Sequence, residues 1–409
     1  MKLRVGLIGL GEQWQTVHRP ALRMLCERFD VRAIHCTVPK LAENAVTEFQ
    51  ADPVDGYQAM VNRDDIDAVL ILEETWLGHL PALAACRAGK AIYWAAGLDF
   101  DPEGDANFRS CVEDSGVAFM ASLPRRFAPA TLRLKELIAT QLGQPRLLFC
   151  HTRISSPDNQ TEAQTRSQMR SELIELIDWC GYIVAGRCQS VMSANCLPSD
   201  PWDYRALSLR FQRSGKGPAV PLPASATKAW ANPIAGASRA GTGASRTGGS
   251  RTGGSRTGKR GGASTGNRLA AARLGQTHGE ETGSGTIGQA ADASASHDWV
   301  TAQISCGNYI PAKWQEAIGF RPPAGLQVCC EHGVAFIDLP GTLVWFDEAG
   351  RHQESLEMES PVGEKMLSQF HRAVTSLVRN LGGLNDAFGA ASILRASEQS
   401  SQEGRQISL

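Results

Sequence analysis

Two glycines placed directly after an apolar run are the first residues of this chain whose spacing carries chemistry. Leu3, Val5, Leu7 and Ile8 lead into Gly9-Leu10-Gly11-Glu12-Gln13, the pattern of a buried strand turning sharply into a helix. Gly9 permits the tight turn. Gly11, lacking a Cβ, lets a pyrophosphate approach the backbone N–H groups of the turn, Glu12 and Gln13 included, at the positive helix end. The third glycine of a dinucleotide fingerprint is replaced by Trp14. An indole there must push the helix outward or swing into the cofactor cleft. A strand–turn–helix unit with no ligand fits this stretch equally well. The next strand, over 31–38, should end beside the ribose, where a dinucleotide site carries Asp or Glu about 20 residues past the glycines. Here it reads Ile34-His35-Cys36-Thr37-Val38-Pro39-Lys40, with no carboxylate. Thr37 and Lys40 favour a 2′-phosphate, hence NADP, unless Lys40 is only a solvated surface charge.

The elements that must position this turn follow from periodicity. Helical spacing runs over 16–29, 41–49, 76–88 and 102–115, and strands over 66–72, 91–94 and 117–121. Strands alternating with helices in this way give an α/β fold built on a doubly wound parallel sheet. A ligand would lie beyond the strands' C-terminal ends, by Gly9–Gln13, Cys36–Thr37, Glu73–Trp76 and Trp94–Gly97. Two acids at Glu73-Glu74 would repel a pyrophosphate if they faced it.

Composition bounds the rest. The chain's 409 residues suffice for two domains and an appendage. With Lys+Arg 41 against Asp+Glu 42, it has no global bias toward nucleic acid or an anionic membrane. Eleven cysteines include no Cys-x-x-Cys pair, which reads as reduced, mostly buried thiols in a cytoplasmic protein. Cys329, Cys330 and His332 could be drawn as metal ligands, but neighbouring strand residues point to opposite faces, so packing is the better reading and no metal is expected. No run is long enough to cross a bilayer.

Further along, 147–154, 204–213, 299–306, 327–339 and 343–346 read as strands, and 364–381 and 387–399 as helices. Between them the tract 231–298 contains no Phe, Tyr, Trp, Val, Met or Cys, and repeats Ser-Arg-Thr-Gly-Gly with period five from Ser245. So polar a tract cannot offset its ordering entropy, and disorder is expected. Its arginines resemble an arginine–glycine RNA-binding segment in composition, but without aromatics to stack on bases nucleic acid is not expected as a partner. A long surface insertion is tolerated by chain-closure entropy.

The order of motifs resembles the Gfo/Idh/MocA oxidoreductases, the glucose–fructose oxidoreductase and inositol dehydrogenase family. The resemblance rests on Val5-Gly6-Leu7-Ile8-Gly9-Leu10-Gly11, on Asp67-Ala68-Val69 followed by His79 and Ala88-Gly89-Lys90, on Arg125-Arg126-Phe127, on Leu142-Gly143-Gln144-Pro145, and on the tail through Phe370 to Gly404-Arg405-Gln406-Ile407-Ser408-Leu409. It implies a Rossmann domain over 1–121 and a C-terminal α/β domain with a large, mostly antiparallel sheet over 122–230 and 299–409, often used for oligomer contacts. It implies NAD or NADP as cofactor, held near Gly9, Gly11, Glu12, Gln13, Thr37, Glu74, His79 and Trp94, with His79 mainly structural. It also implies a sugar, cyclitol or polyol as substrate, and a homo-oligomer formed through the C-terminal sheet.

The family's reacting groups are altered. The lysine of its Glu-Lys-Pro run falls on Ala96, within Trp94-Ala95-Ala96-Gly97, and Ala96 can neither carry charge nor hydrogen-bond. The helix with a histidine base matches Ser171 to Asp178, which puts Glu175 where the histidine would stand and leaves Asp178 as the surviving acid. A carboxylate can serve as general base if burial raises its pKa, and Glu172 and Asp178, three residues away on either side, push the same way. Arg125 or Arg126 would then orient substrate. The competing reading is a solvated acidic stripe on a helix whose buried side is Leu173, Leu176, Ile177 and Cys180. His151, on a strand, is a weaker candidate. Two functions stay open: an oxidoreductase with Glu175 as base, or a non-catalytic binding or assembly protein on the same fold.

Overall fold

The structure is a computed structural model describing residues 2–73, 77–154, 161–195, 204–213, 299–307, 324–376 and 382–409. The insertion over 231–298, the candidate Glu74, Trp76 and Leu377 lie outside these residues.

The first part of the chain runs β1 (Leu3–Ile8), a π-helical turn (Trp14–His18), α1 (Arg19–Met24), β2 (Phe29–His35), α2 (Pro39–Phe49), β3 (Asp52–Pro53) and α3 (Tyr57–Val61). It continues through β4 (Ala68–Ile71), α4 (Leu80–Arg87), β5 (Ala91–Trp94), α5 (Ala106–Ser115) and β6 (Phe119–Ala121). The strands make a parallel sheet in the order β3-β2-β1-β4-β5-β6, the doubly wound nucleotide-binding arrangement. Side chains alternate across a strand, so each strand feeds two cores. Val5, Leu7, Leu70 and Tyr93 pack with Leu22 of α1 and Ala45 of α2. Ile8, Val69, Ile71, Ile92 and Trp94 pack on the other face with Ala82 and Ala85 of α4 and Phe108 of α5.

Two short helices, α6 (Pro124–Phe127) and α7 (Pro129–Leu137), lead into the second sheet. Its strands are β7 (Pro145–Arg153), β8 (Gly186–Asn195), β9 (Tyr204–Arg213), β10 (Trp299–Gly307), β11 (Leu326–Cys330), β12 (Gly333–Asp338), β13 (Thr342–Asp347), β14 (Gly350–Ser355) and β15 (Ile407–Ser408). They lie in the order β14-β13-β12-β11-β7-β10-β9-β8-β15, and only β7 and β10 run parallel. One face is covered by α8 (Glu162–Val184), which buries Leu173, Leu176, Ile177 and Cys180 with Leu148, Leu209 and Ile304 of the sheet. The N-terminus of α8 is closed reciprocally: Thr161 Oγ1 accepts the Gln164 N–H, and Gln164 Oε1 accepts the Thr161 N–H. Of the remaining helices, α9 (Val362–Thr375) puts Met366, Leu367 and Phe370 into the core of the first sheet, and α10 (Gly382–Glu403) packs Leu384, Phe388 and Leu394 beside α8. No described helix is long and apolar enough to cross a membrane.

Several elements differ from the sequence expectation. The helix expected over 16–29 opens as the π turn and ends at Met24. Trp14 neither enters the cleft nor stands outward. Its indole is buried against Phe49 of α2, ring centroids 5.9 Å apart, on the side away from the strand ends. A widened first turn accommodates this bulk where a glycine would let strand and helix close up. The second strand stops at His35, not at 38, because Pro39 starts α2 and the Val38 N–H turns back to Cys36 Sγ. The strand expected over 327–339 is a hairpin, β11 and β12, bent at Glu331-His332. The amides of Glu331 and His332 donate to the carbonyls of Gln144 and Leu142, which pulls the turn out of the strand line. Strands β8 and β14 were not anticipated.

His18, at the end of the π turn, is fully buried with Nε2 3.4 Å from the Tyr93 hydroxyl. Burial lowers its pKa to about 4, so the native state keeps it neutral while an unfolded chain protonates it near 6.5. The contribution to stability is complete above pH 6.5 and is lost as pH falls through 4, about 3 kcal/mol in all. The unfolding midpoint should drop between pH 6.5 and 4, and more steeply for the wild type than for His18→Gln; equal slopes would rule out this origin.

Candidate functional site

The C-terminal ends of β1, β2, β4 and β5 meet at the glycine turn. Gly9 has φ +76°, and a Cβ there would stand 2.7 Å from Glu73 Cβ. A Cβ on Gly11 would stand 2.7 Å from the Leu72 carbonyl oxygen. Both glycines are therefore required by the passage of residues 72–73 alongside the turn, whether or not a ligand binds. Glu73 also brings an acidic side chain beside it. The amides of Glu12 and Gln13, however, make no hydrogen bond among the described residues, and both residues are exposed. Unspent N–H groups opening a helical run are what an anionic phosphate requires. The phosphate-holding half of a dinucleotide thus fits Gly9, Gly11, Glu12 and Gln13. At the end of β2, His35 Nδ1 lies 3.1 Å from the Gly56 amide, and Thr37 is exposed, leaving no carboxylate for ribose hydroxyls. Lys40 pairs with Glu43 across 3.3 Å on the surface of α2.

Beyond β5 the side chains pack on one another. His79 stacks on Phe108 with centroids 4.4 Å apart and planes 6° from parallel, and its Nδ1 lies 3.1 Å from Asp105 Oδ1. Burial lowers the His79 pKa against the pull of Asp105. Trp94 lies 5.3 Å from the His79 ring and donates its indole N–H to the Gly97 carbonyl at 2.6 Å. Phe100 and Phe388 complete the cluster. The structure thus brings His79 and Trp94 together, but against each other. The space they leave with Ala96, Gly97, Asp99 and Phe100 is about 10 Å³, at the limit for one water. A larger groove of about 530 Å³ lies elsewhere, between Trp14, Gln15, Arg19 and Arg23 on one side and Leu41, Asn44 and Glu48 of α2 on the other.

The acids of α8 are not a solvated stripe. Glu175 is 14% exposed and Asp178 2% at the side chain, and each meets an arginine of α6. Glu175 Oε1 accepts the backbone N–H of Arg125 at 3.0 Å, and Oε2 accepts its guanidinium at 2.5 Å. Glu172 takes the second arm of the same guanidinium. Arg126 holds Asp178 with two donors and reaches Asp386 of α10 at 2.6 Å. Burial pushes the Glu175 and Asp178 carboxyls up, opposed by the arginine each faces. The acids in turn hold both guanidinium groups charged despite burial. Ser171, in the place of the family's first aspartate, accepts the Leu98 N–H at 3.3 Å, and Arg170 bridges Asp99 and Glu398. These contacts tie the loop after β5 to α8. Such a lattice holds two halves of a molecule in register, and each carboxylate oxygen of Glu175 accepts a hydrogen bond from Arg125. His151, half-buried on β7, has its pKa lowered by burial and by Arg153. Among the described residues, no three His, Cys, Asp or Glu side chains are placed to share a metal ion.

Sequence reasoning missed Asp386, Asp99 and Ser171 as partners. One signal was available: an Arg-Arg doublet ahead of acids spaced by three, 172, 175 and 178, marks one helix face that needs counter-charges.

The family model for oxidoreductases with an NAD-binding Rossmann fold (Gfo/Idh/MocA) matches residues 3–94. No curated protein matches the chain in sequence. Among solved structures, aldose-aldose oxidoreductase from Caulobacter crescentus superposes with TM-score 0.66 at 13% identity, covering 100% of both chains. A 3-ketoreductase from Actinomadura kijaniata, in complex with NADP, gives 0.62 at 14%, covering 98% of each chain. An oxidoreductase from Thermotoga maritima gives 0.65 at 13%, covering 100% of this chain and 98% of that one. At such identities these likenesses establish the shared fold.

Removing Arg126 alone strands Asp178 as a buried charge, so Arg126→Met should lower stability by about 3–5 kcal/mol. The double variant Arg126→Met/Asp178→Leu should recover most of that in urea unfolding; equal losses would show that the pair is not what the site rests on.

Proposed function

We propose that this chain, a member of the Gfo/Idh/MocA oxidoreductase family, holds NAD or NADP at the Gly9–Gln13 turn and a sugar or polyol as its small-molecule ligand, without the family's proton-coupled hydride transfer. The observation that carries this reading is Glu175, the residue at the general-base position, whose two carboxylate oxygens are both taken by Arg125. Ala96, buried at the lysine position, supplies no second proton carrier. When bound, a nicotinamide cofactor supplies hydride chemistry. This chain's residues bind its phosphates through the amides of Glu12 and Gln13, but they neither take nor give a proton at a substrate hydroxyl. The enzyme reading, with Glu175 as base and Arg125 or Arg126 orienting substrate, requires the Arg125 pair to open.

Calorimetry with NAD, NADH, NADP and NADPH, beside turnover assays over a panel of sugars, cyclitols and polyols, separates the two. Binding of at least one cofactor is expected with no turnover, and Glu175→Gln should lower the melting temperature while sparing cofactor binding. Turnover abolished by Glu175→Gln would restore the enzyme. No binding by any cofactor would remove the nucleotide.

The second sheet supports a homo-oligomer. Its face opposite α8 carries Leu147, Phe149, Val334, Phe336, Val344 and Phe346, adjacent by strand register across β7, β11, β12 and β13. Phe336 and Phe346 meet edge to face at 5.9 Å, and Phe346 is 40% exposed. An apolar sheet face of this kind, crossed only by Gln327 and Cys329 of β11, is suited to a second copy of the chain. In sedimentation the wild type should run as a dimer or larger assembly and Phe346→Glu as a monomer with an unchanged circular dichroism spectrum. A monomeric wild type would refute it.

A further inference from the structure

Two thiols in the middle of the second domain are used by nothing described above. Cys150, on β7 at the centre of the nine-stranded sheet, and Cys180, on α8, place their sulfurs 3.5 Å apart. Both are buried, 2% and 0% exposed. They join the helix carrying Glu172, Glu175 and Asp178 to the strand beneath it. Closing the bond brings the sulfurs from 3.5 Å to a bond length of about 2.05 Å. We infer that Cys150 and Cys180 are an oxidisable pair that closes to a disulfide, covalently fastening α8 to the large sheet.

The chemistry names its oxidant. Burial excludes a bulky disulfide such as oxidised glutathione and admits only a small uncharged molecule, hydrogen peroxide. One sulfur attacks a peroxide oxygen; the O–O bond breaks, an S–O bond forms, and the departing hydroxide leaves as water with the thiol proton. The second sulfur then attacks the sulfenic sulfur, forming the S–S bond and expelling the hydroxyl, which takes the second thiol proton as another water. Two electrons leave the sulfurs and reduce one peroxide to two waters. The hydrogen bond from Cys150, together with burial, raises the Cys180 pKa and keeps that thiol protonated at rest, so the pair closes slowly and is spared by transient exposure.

Neighbouring sulfurs make the assignment specific. Cys306 lies on the same sheet face, two residues beyond the Ile304 that pairs with Cys150, and Cys188 begins the tryptic peptide after Arg187. Trypsin cuts after Arg146, Arg153, Arg170 and Arg187, so Cys150 falls in the peptide 147–153 and Cys180 in 171–187. The folded full chain is treated with hydrogen peroxide, alkylated under denaturing conditions and digested without reductant. A cross-linked 147–153/171–187 species, lighter than the sum by two hydrogens and released by dithiothreitol, is expected. The oxidised protein should also melt at a higher temperature than the reduced one, a difference lost in Cys150→Ala and in Cys180→Ala. If exposed Cys26 is oxidised while Cys150 and Cys180 are recovered fully alkylated, or if either links to Cys188 or Cys306 instead, the inference fails. The wild-type peptide map decides even if both variants misfold.

Discussion

A buried double ion pair is the constraint on which the rest of this molecule hangs. Arg125 and Arg126 stand side by side on α6, a single short helix at the junction of the two sheets, and face three acids of α8 and one of α10. Charges this poorly hydrated persist only when every one of them is met. The geometry of α6 therefore fixes where α8 lies, and α8 fixes the loop after β5 through Ser171 and Arg170. Lys135 of α7 and Arg126 over the Tyr182 ring of α8 extend the same logic along the helices. Glu175, Asp178 and both arginines are thereby spent on joining α6 to α8 and α10.

The first sheet shows the complementary change. At its glycine turn the Glu12 and Gln13 amides make no hydrogen bond among the described residues, while the end of β5 is filled by stacked rings. Trp94 is the pivot: placed as the last residue of β5, it faces α4 and α5, where it meets His79, Phe100 and Phe108. Each ring adds apolar burial and edge or stacking contact worth about 0.5–1.5 kcal/mol beyond area alone.

How much of this could be read from the residues differs between levels. Alternating apolar runs and breakers give β5 over 91–94 and β9 over 204–213 with their observed ends, because buried strands advertise themselves through composition. The same alternation gives five of the six strands of the parallel sheet, while the two-residue β3 leaves no periodic signal. Hydrophobic period says little about β8, whose Gly186–Asn195 run mixes Arg, Gln and Ser with its apolar residues. Nor does it locate the bend at Glu331-His332, which is held by carbonyls nearly 190 residues upstream in the chain (Leu142 and Gln144). At the site, Glu172, Glu175 and Asp178 are visible as one helix face. Whether that face meets water, a substrate or arginines is a tertiary fact, and Arg125 lies 50 residues from Glu175. Trp14 is the instructive case: the sequence marks it as out of place, and only the π turn reveals how the backbone absorbs it.

Strands β9 and β10 are hydrogen-bonded neighbours, with Trp299 opposite Gln212. The 85 residues between 213 and 299 thus leave and rejoin the sheet at one point. Their number imposes nothing on strand register, and an added length of chain raises the closure entropy only logarithmically. This junction behaves as a graft point, where a fluorescent reporter or an affinity module could be spliced while the ladder on either side stays in phase. Evolution can lengthen, shorten or rewrite the sequence there as freely as an engineer can.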